Sequence, residues 1–248
     1  MQQYFIYSSP SAENIEITDK NTIKHMFQVM RLRAGDEVVL VFPDGIKRLA
    51  EVVDVESRTM RIVEALDENV ELPVHVTIAC GFPKGDKFAI IAQKATELGA
   101  AEICGFPADR SIVKWDDKKL AKLAEKLEKV VQGAAEQSKR NIVPGINLIA
   151  NKKGFVDSFA EYDKVFVAYE EAAKDGEKSV LANALSEVSA GDKLLFIFGP
   201  EGGITDKEID TFTQAGAVCA GLGPRIMRAE TAPMYVLSAV SYALELNK

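Results

Sequence analysis

The sequence predicts an α/β protein: a parallel sheet covered by helices over residues 73–248, preceded by a small β-barrel over residues 1–72. Three observations carry that expectation. Up to Leu72, short apolar runs follow one another through tight turns. From Pro73 they alternate with helix-length amphipathic stretches. And 248 residues are more than one small core usually needs.

The N-terminal strands are read from "YFIY", "EVVLVF", "IKRLAEVVDV" and "TMRIVEAL", with a "PDG" turn at Pro43 to Gly45. One helix interrupts them. Ile23, Met26, Phe27 and Met30 fall at i, i+3, i+4 and i+7 and make one apolar face. Arg31 and Arg33 follow, before the "AGD" turn at Ala34 to Asp36. Residues 1–72 carry eight Lys/Arg against thirteen Asp/Glu, so contact with nucleic acid has to come from a local basic cluster.

Beyond Pro73 the strands are "VHVTIAC", "EICGF", "INLIA", "KVFVAY", "KLLFIF" and "AVCAGL". Between them lie helices. Phe88, Ile91, Ala92, Ala95 and Leu98 mark one that ends at Gly99. Leu120, Leu123, Leu127, Val130, Val131 and Ala134 form the buried stripe of a long helix over 116–137. A short helix follows "INLIA", then "SVLANALSEV", 205–215 and 232–246. Strands alternating with helices imply a parallel sheet covered on both faces. The charged stretch from Glu170 to Lys178 reads as a solvated loop.

Composition narrows the function. No apolar run is long enough to cross a bilayer, and the N-terminus lacks a basic start with an apolar stretch, so a cytoplasmic protein without a signal peptide is expected. Cys80, Cys104 and Cys219 are widely spaced and read as free thiols. With only His25 and His75 there is no zinc signature, and no metal is expected. The net charge of −7 disfavours sequence-blind nucleic-acid binding.

Two loops stand out at the carboxyl edge of the expected sheet, where ligands of parallel α/β folds bind. "GPEGG" (Gly199, Pro200, Glu201, Gly202, Gly203) follows "LLFIF", and Thr205 with Glu208 makes a T-x-x-E capping box after it. A tight turn with a good cap would need fewer glycines. The loop is neither a Walker A motif nor GxGxxG. "GLGPRIMRAETAP" is the second: Thr231 can cap the last helix, Pro233 lies in its first turn, and Arg225, Arg228 and Glu230 cluster before it. Free amides at that helix start favour an electron-rich group. Together the loops point to a small neutral or zwitterionic ligand bound largely by main chain. In "MYVLSAVSYALEL" only Ser238, Ser241 and Glu245 are polar, so that helix needs burial on more than one side, against a second subunit or within a large core.

"GPEGGIT" with its following glutamate, then "LGPRIMRAETAP", resembles the paired signature of the SPOUT methyltransferases, and more narrowly the bacterial family that methylates uracil N3 in small-subunit ribosomal RNA. "HMFQVMRLRAGDEVVLVFPDG" resembles that family's PUA-like RNA-binding domain, and "KGDKFAIIAQKATELG", "RSIVKW" and "EQSKR" its middle stretches. Met227 stands where leucine is commoner, and Lys139 where glycine is common. The resemblance implies a SPOUT domain with a C-terminal trefoil knot, a homodimer, and S-adenosylmethionine held by three loops. The first begins near Tyr169, the second is Gly199 to Gly203, and the third runs from Leu222 and Gly223 to Arg228, with Leu222, Ile226 and Met227 packing on the adenine.

The substrate implied is one uridine of 16S ribosomal RNA, free or in the small ribosomal subunit. Its N3 proton is only weakly acidic, so the site has to remove it or stabilise the anion. Arg228 is the candidate for holding a uracil carbonyl. Glu230 either orients that arginine, the preferred role, or takes the proton; Glu201 is the other candidate base. RNA contacts are assigned to His25, Arg31, Arg33, Arg110, Lys114 and Arg140. Two other functions fit the same residues: a non-catalytic RNA-binding assembly factor that keeps the fold, and an enzyme using another adenosine-bearing ligand.

Overall fold

The computed structural model describes residues 1–10, 13–111, 116–169 and 180–247. The stretch from Glu170 to Lys178, read above as a solvated loop, and Lys114 lie outside them. The chain divides into two compact units, Met1–Glu71 with Ala135–Val143, and Leu72–Ala134 with Pro144–Lys248.

The first unit is a five-stranded sheet in the order β1-β3-β4-β5-β2. Its strands are β1 (Gln3–Phe5), β2 (Asn14–Glu16), β3 (Glu37–Val41), β4 (Lys47–Asp54) and β5 (Thr59–Leu66). β1 pairs parallel with β3, and the other pairs are antiparallel. Alternation puts Val38, Leu40, Ala50, Val52 and Met60 on one inner face, where they close a core with Tyr4, Ile17 and Met26. The helical stretch starts as α1 (Lys20–Ile23), capped by Asp19, and continues as a π-helix over Lys24–Val29. That winding corrects the sequence reading. Met26 is fully buried and Ile23 and Phe27 pack beside it, but Met30 is exposed, because its amide bonds to His25 five residues back and i+7 no longer shares the face.

Residues 135–143 complete this unit. Glu71 accepts from the Arg140 guanidinium and from the amides of Asn141 and Ile142. Gln3 donates to the Arg140 carbonyl. Lys139 sits at φ +60, the left-handed conformation that glycine adopts at least cost.

The second unit holds an all-parallel six-stranded sheet, β11-β9-β10-β6-β7-β8. The strands are β6 (His75–Gly81), β7 (Glu102–Phe106), β8 (Gly145–Leu148), β9 (Lys164–Ala168), β10 (Lys193–Phe198) and β11 (Val218–Ala220). Its helices are α2 (Lys87–Glu97), α3 (Asp117–Gln137), α4 (Lys152–Asp157), α5 (Val180–Ser186), α6 (Asp206–Gln214) and α7 (Ala232–Ser241), which runs on as a π-helix over Tyr242–Leu246. By contact, α3 passes into the first unit at Ala135. The central strands β6 and β10 are near-continuous apolar runs, as burial on both faces requires, whereas the edge strands β8 and β11 are partly exposed. On one face Phe106, Phe155, Phe159 and Phe212 form an aromatic cluster, with Phe106 stacked on Phe155 at 4.1 Å. α7 packs on α2 and β10 through Val236, Leu237 and Val240, all fully buried, while Tyr235, Tyr242 and Leu246 stay exposed. No helix among the described residues is long and apolar enough to cross a membrane.

Candidate active site

β10 enters the sheet between β9 and β6, so the loop after it lies at the centre of the carboxyl edge. A cavity of about 1100 Å³ opens there, walled by the loops after β6, β7, β9, β10 and β11. Of the residues singled out for a ligand, Tyr169, Gly199 to Gly203, Leu222, Gly223, Ile226, Met227 and Arg228 all line it.

The Gly199–Gly203 loop folds tightly on itself. A Cβ on Gly199 would lie 2.8 Å from the Gly203 carbonyl carbon, and one on Gly202 would lie 2.9 Å from Cβ of Arg110. The Gly203 amide donates to the Pro200 carbonyl at 2.8 Å and closes the turn. Arg110 Nη1 donates to the Gly202 carbonyl at 2.8 Å, so this expected RNA contact is part of the cavity wall.

A charged network sets the loop from below. Thr205 and Glu208 form the expected capping box of α6. The Glu208 carboxylate is only 1 % exposed and also accepts from the Asp109 amide (2.8 Å) and Lys152 Nζ (2.6 Å). Lys152 reaches Asp109 Oδ1 at 2.5 Å as well. Burial works to raise the pKa of Glu208, but the Lys152 ammonium and the donated hydrogen bonds outweigh it and hold the carboxyl below its ordinary range.

The third loop corrects one expectation. Thr231 makes no side-chain cap on α7: its backbone is already helical, and the Arg228 carbonyl takes the amides of Thr231 (2.9 Å) and Ala232 (3.1 Å). With Pro233 lacking an N–H, the helix start is closed by the preceding turn and offers fewer free amides than its sequence suggests. Ile226, in contrast, is 79 % exposed at the cavity, an apolar side chain left open beside main-chain polar groups. Tyr169 Oη donates to Asp206 Oδ1 at 3.2 Å.

The sequence reading did not single out Lys87. Its ammonium lies 2.9 Å from Glu201 Oε1 and 3.4 Å from Glu230 Oε2, and it joins the β6, β10 and β11 loops. Its position just after the strand beside β10, at the same edge, is the signal that could have found it. Burial favours the neutral form of Glu201, yet Lys87 and the amides of Glu201 and Lys84 keep its carboxyl below the ordinary range. Arg228 Nη1 stands 4.0 Å from Glu230 Oε1 and is 85 % exposed.

Of the other expected RNA contacts, His25, Arg31, Arg33 and Arg140 lie in the first unit. His25, Arg31 and Arg33 are exposed in one stretch. His25 Nδ1 hydrogen-bonds the Tyr4 hydroxyl at 3.0 Å, and Asp36 accepts from the Arg33 amide at 2.7 Å. Arg140 is 2 % exposed, with its guanidinium turned inward to Glu71.

Residues 70–241 match the family model of an RNA methyltransferase domain, and residues 17–64 that of an RNA methyltransferase PUA domain. A ribosomal RNA small subunit methyltransferase E from Bacillus subtilis is 42% identical, over 99% of this chain and 98% of its own length. The crystal structure of a protein described as hypothetical matches with a TM-score of 0.92 at 40% identity, over 100% of both chains. That of a ribosomal RNA small subunit methyltransferase E from Neisseria gonorrhoeae, bound to S-adenosyl methionine, matches with a TM-score of 0.82 at 26% identity, over 97% of each chain.

Proposed function

The chain belongs to the RNA methyltransferase family, in the group of ribosomal RNA small subunit methyltransferases E, and we propose that it methylates N3 of one uridine in 16S ribosomal RNA with S-adenosylmethionine as donor. The observation that carries this reading is the cavity at the sheet edge, walled by glycine-rich main chain and flanked by an exposed isoleucine. Those residues fit such a donor. Its adenine would lie on Leu222, Ile226 and Met227, and main-chain groups of Gly199 to Gly203 and Gly223 would read its edge. When bound, S-adenosylmethionine supplies an electrophilic methyl group on a cationic sulfur.

The chain's own residues then have to ready the uracil. N3 must give up its proton as its lone pair takes the methyl group, and negative charge spreads to the flanking carbonyls. Arg228 holds one of them. Glu201 is the weaker candidate base, since Lys87 helps to hold its pKa below the ordinary carboxylate range. Glu230 lies within reach of Arg228 and either orients it or receives the proton.

Residues 1–72 form the RNA-binding domain of this reading and residues 73–248 the SPOUT domain, whose trefoil knot falls in the last third of the chain. His25, Arg31, Arg33 and Arg110 contact the RNA. A second copy of the chain covers the exposed Tyr235, Tyr242 and Leu246, making a homodimer that works in the cytoplasm. Single-turnover transfer of labelled methyl to small-subunit RNA at saturating donor tests the assignment. Arg228→Ala and Glu230→Gln should both slow it, and wild-type rates in both would remove them from the chemistry.

A further inference from the structure

On the methyl-transfer reading above, one side chain of the cavity remains to be explained. Two carboxylates, those of Glu201 and Asp206, belong to residues that line it. Glu201 is taken up by the Lys87 ammonium at 2.9 Å and the Lys84 amide at 3.3 Å. Asp206 is exposed, and among the described residues it makes no ion pair. Its carboxylate has one partner there, the Tyr169 hydroxyl, 3.2 Å from Oδ1. A carboxylate offers about four lone-pair positions, so Oδ2 stays open to a ligand in the cavity.

The surroundings select the part of the donor that meets it. Tyr169 follows β9 directly, and its amide donates at 3.2 Å to the carbonyl of Ala220, the last residue of β11 before the loop that carries Leu222. Asp206 opens α6, just past Gly203. The Tyr169–Asp206 bond therefore ties together the two loops assigned to the adenine. The cations Lys87 and Arg110 follow β6 and β7, on the other side of β10. Ribose is the part of the donor bonded directly to adenine, and its vicinal diol presents two O–H donors in need of acceptors. We propose that Asp206 is a specificity-determining residue that accepts hydrogen bonds from the donor's ribose hydroxyls, with Tyr169 as the positioning residue that holds its carboxylate.

The carboxylate is prepared before the ligand arrives. The capping box of Thr205 and Glu208 fixes the backbone on both sides of it, and Lys152 clamps Glu208 from 2.6 Å. A preset acceptor loses little freedom on binding. An acidic side chain reads ribose in the same way at the carboxyl edge of dinucleotide-binding sheets. Charge makes such a bond roughly twice as strong as one to a neutral acceptor. A nucleoside without the hydroxyls would cover the carboxylate and leave it unfilled, so Asp206 also acts against the wrong ligand.

Calorimetry on the whole chain tests this with wild type, Asp206→Ala and Tyr169→Phe. Three probes are used: S-adenosylhomocysteine, its 2′,3′-dideoxy analogue, and 5′-methylthioadenosine, which keeps the ribose but lacks the amino acid. Wild type should bind the dideoxy analogue about 30-fold more weakly than S-adenosylhomocysteine. Asp206→Ala should bind S-adenosylhomocysteine about 30-fold more weakly than wild type does and should no longer distinguish it from the dideoxy analogue. Its deficit should be the same on 5′-methylthioadenosine, and Tyr169→Phe should discriminate to an intermediate degree. A residue that merely supports the helix start would not move the preference between the two nucleosides. The role is overturned if wild type ignores the missing hydroxyls, or if Asp206→Ala still discriminates in full or binds S-adenosylhomocysteine as wild type does. It is overturned equally if the deficit vanishes on 5′-methylthioadenosine, which would make the donor's ammonium the group read. Should Asp206→Ala fail to fold, Tyr169→Phe carries the test, and discrimination as strong as that of wild type overturns the pair. If wild type binds none of the three probes, the functional reading itself fails.

Discussion

Replacing Lys152 by methionine removes the cation held between Asp109 and Glu208, 2.5 and 2.6 Å away. Glu208 stays buried but keeps three donors: the amides of Asp109 and Thr205 and the Thr205 hydroxyl. Breaking a buried pair typically costs about 3–5 kcal/mol. Three remaining donors and a lysine that is itself 28 % exposed reduce this to about 2–3 kcal/mol. At about 2–4 °C per kcal/mol for a unit of this size, the melting temperature falls by about 4–12 °C. The loss depends on pH. Glu208 has a depressed pKa in the folded state, so its contribution is complete above the ordinary carboxylate range and is lost as pH falls through the folded value. Asp109, lowered chiefly by its hydrogen bond to Lys152, behaves alike. The gap between wild type and Lys152→Met is therefore widest at neutral pH and closes on acidification. Thermal unfolding followed by circular dichroism across that range measures it. A gap under about 1 °C at neutral pH, or one that persists unchanged in acid, refutes the reasoning.

Gly202→Ala places a methyl group 2.9 Å from Cβ of Arg110, so S-adenosylhomocysteine should bind about tenfold more weakly by calorimetry, with the circular dichroism spectrum unchanged. Glu71→Ala leaves the buried Arg140 guanidinium without its carboxylate and should destabilise the first unit by about 3–5 kcal/mol in urea unfolding. Burial pushes the Cys80 thiol up to about 12 and raises Cys104 as well. A thiol reagent at mildly alkaline pH should therefore label Cys219 first, and the other two only after denaturant is added.

Much of the second unit was legible because its strands are apolar runs set between amphipathic stretches. "EICGF" and "KLLFIF" are β7 and β10 to the residue. The Gly199–Gly203 and Leu222–Arg228 loops declared themselves by holding more glycine and charge than a turn requires. The capping box followed from two side chains three residues apart, which local geometry alone brings together. Where a reading needed more than local geometry, it fell short. Thr231 has the right chemistry for a cap, but the turn before it already fills the helix start. Met30 keeps the spacing of a buried face, but a π-helix carries it away.

By itself, then, the order of apolar and polar residues determined the class of fold, the sheet edge that matters and the two loops placed on it, since these follow from backbone period and turn chemistry. Only tertiary structure decided which distant charges meet. Lys87 looks like any lysine at a helix start until parallel pairing sets β6 beside β10 and brings Glu201 and Glu230 to its ammonium. Arg140 looks like a surface cation until Glu71 turns it inward. Period and composition say nothing about partners a hundred residues away, because those are chosen by strand order and packing.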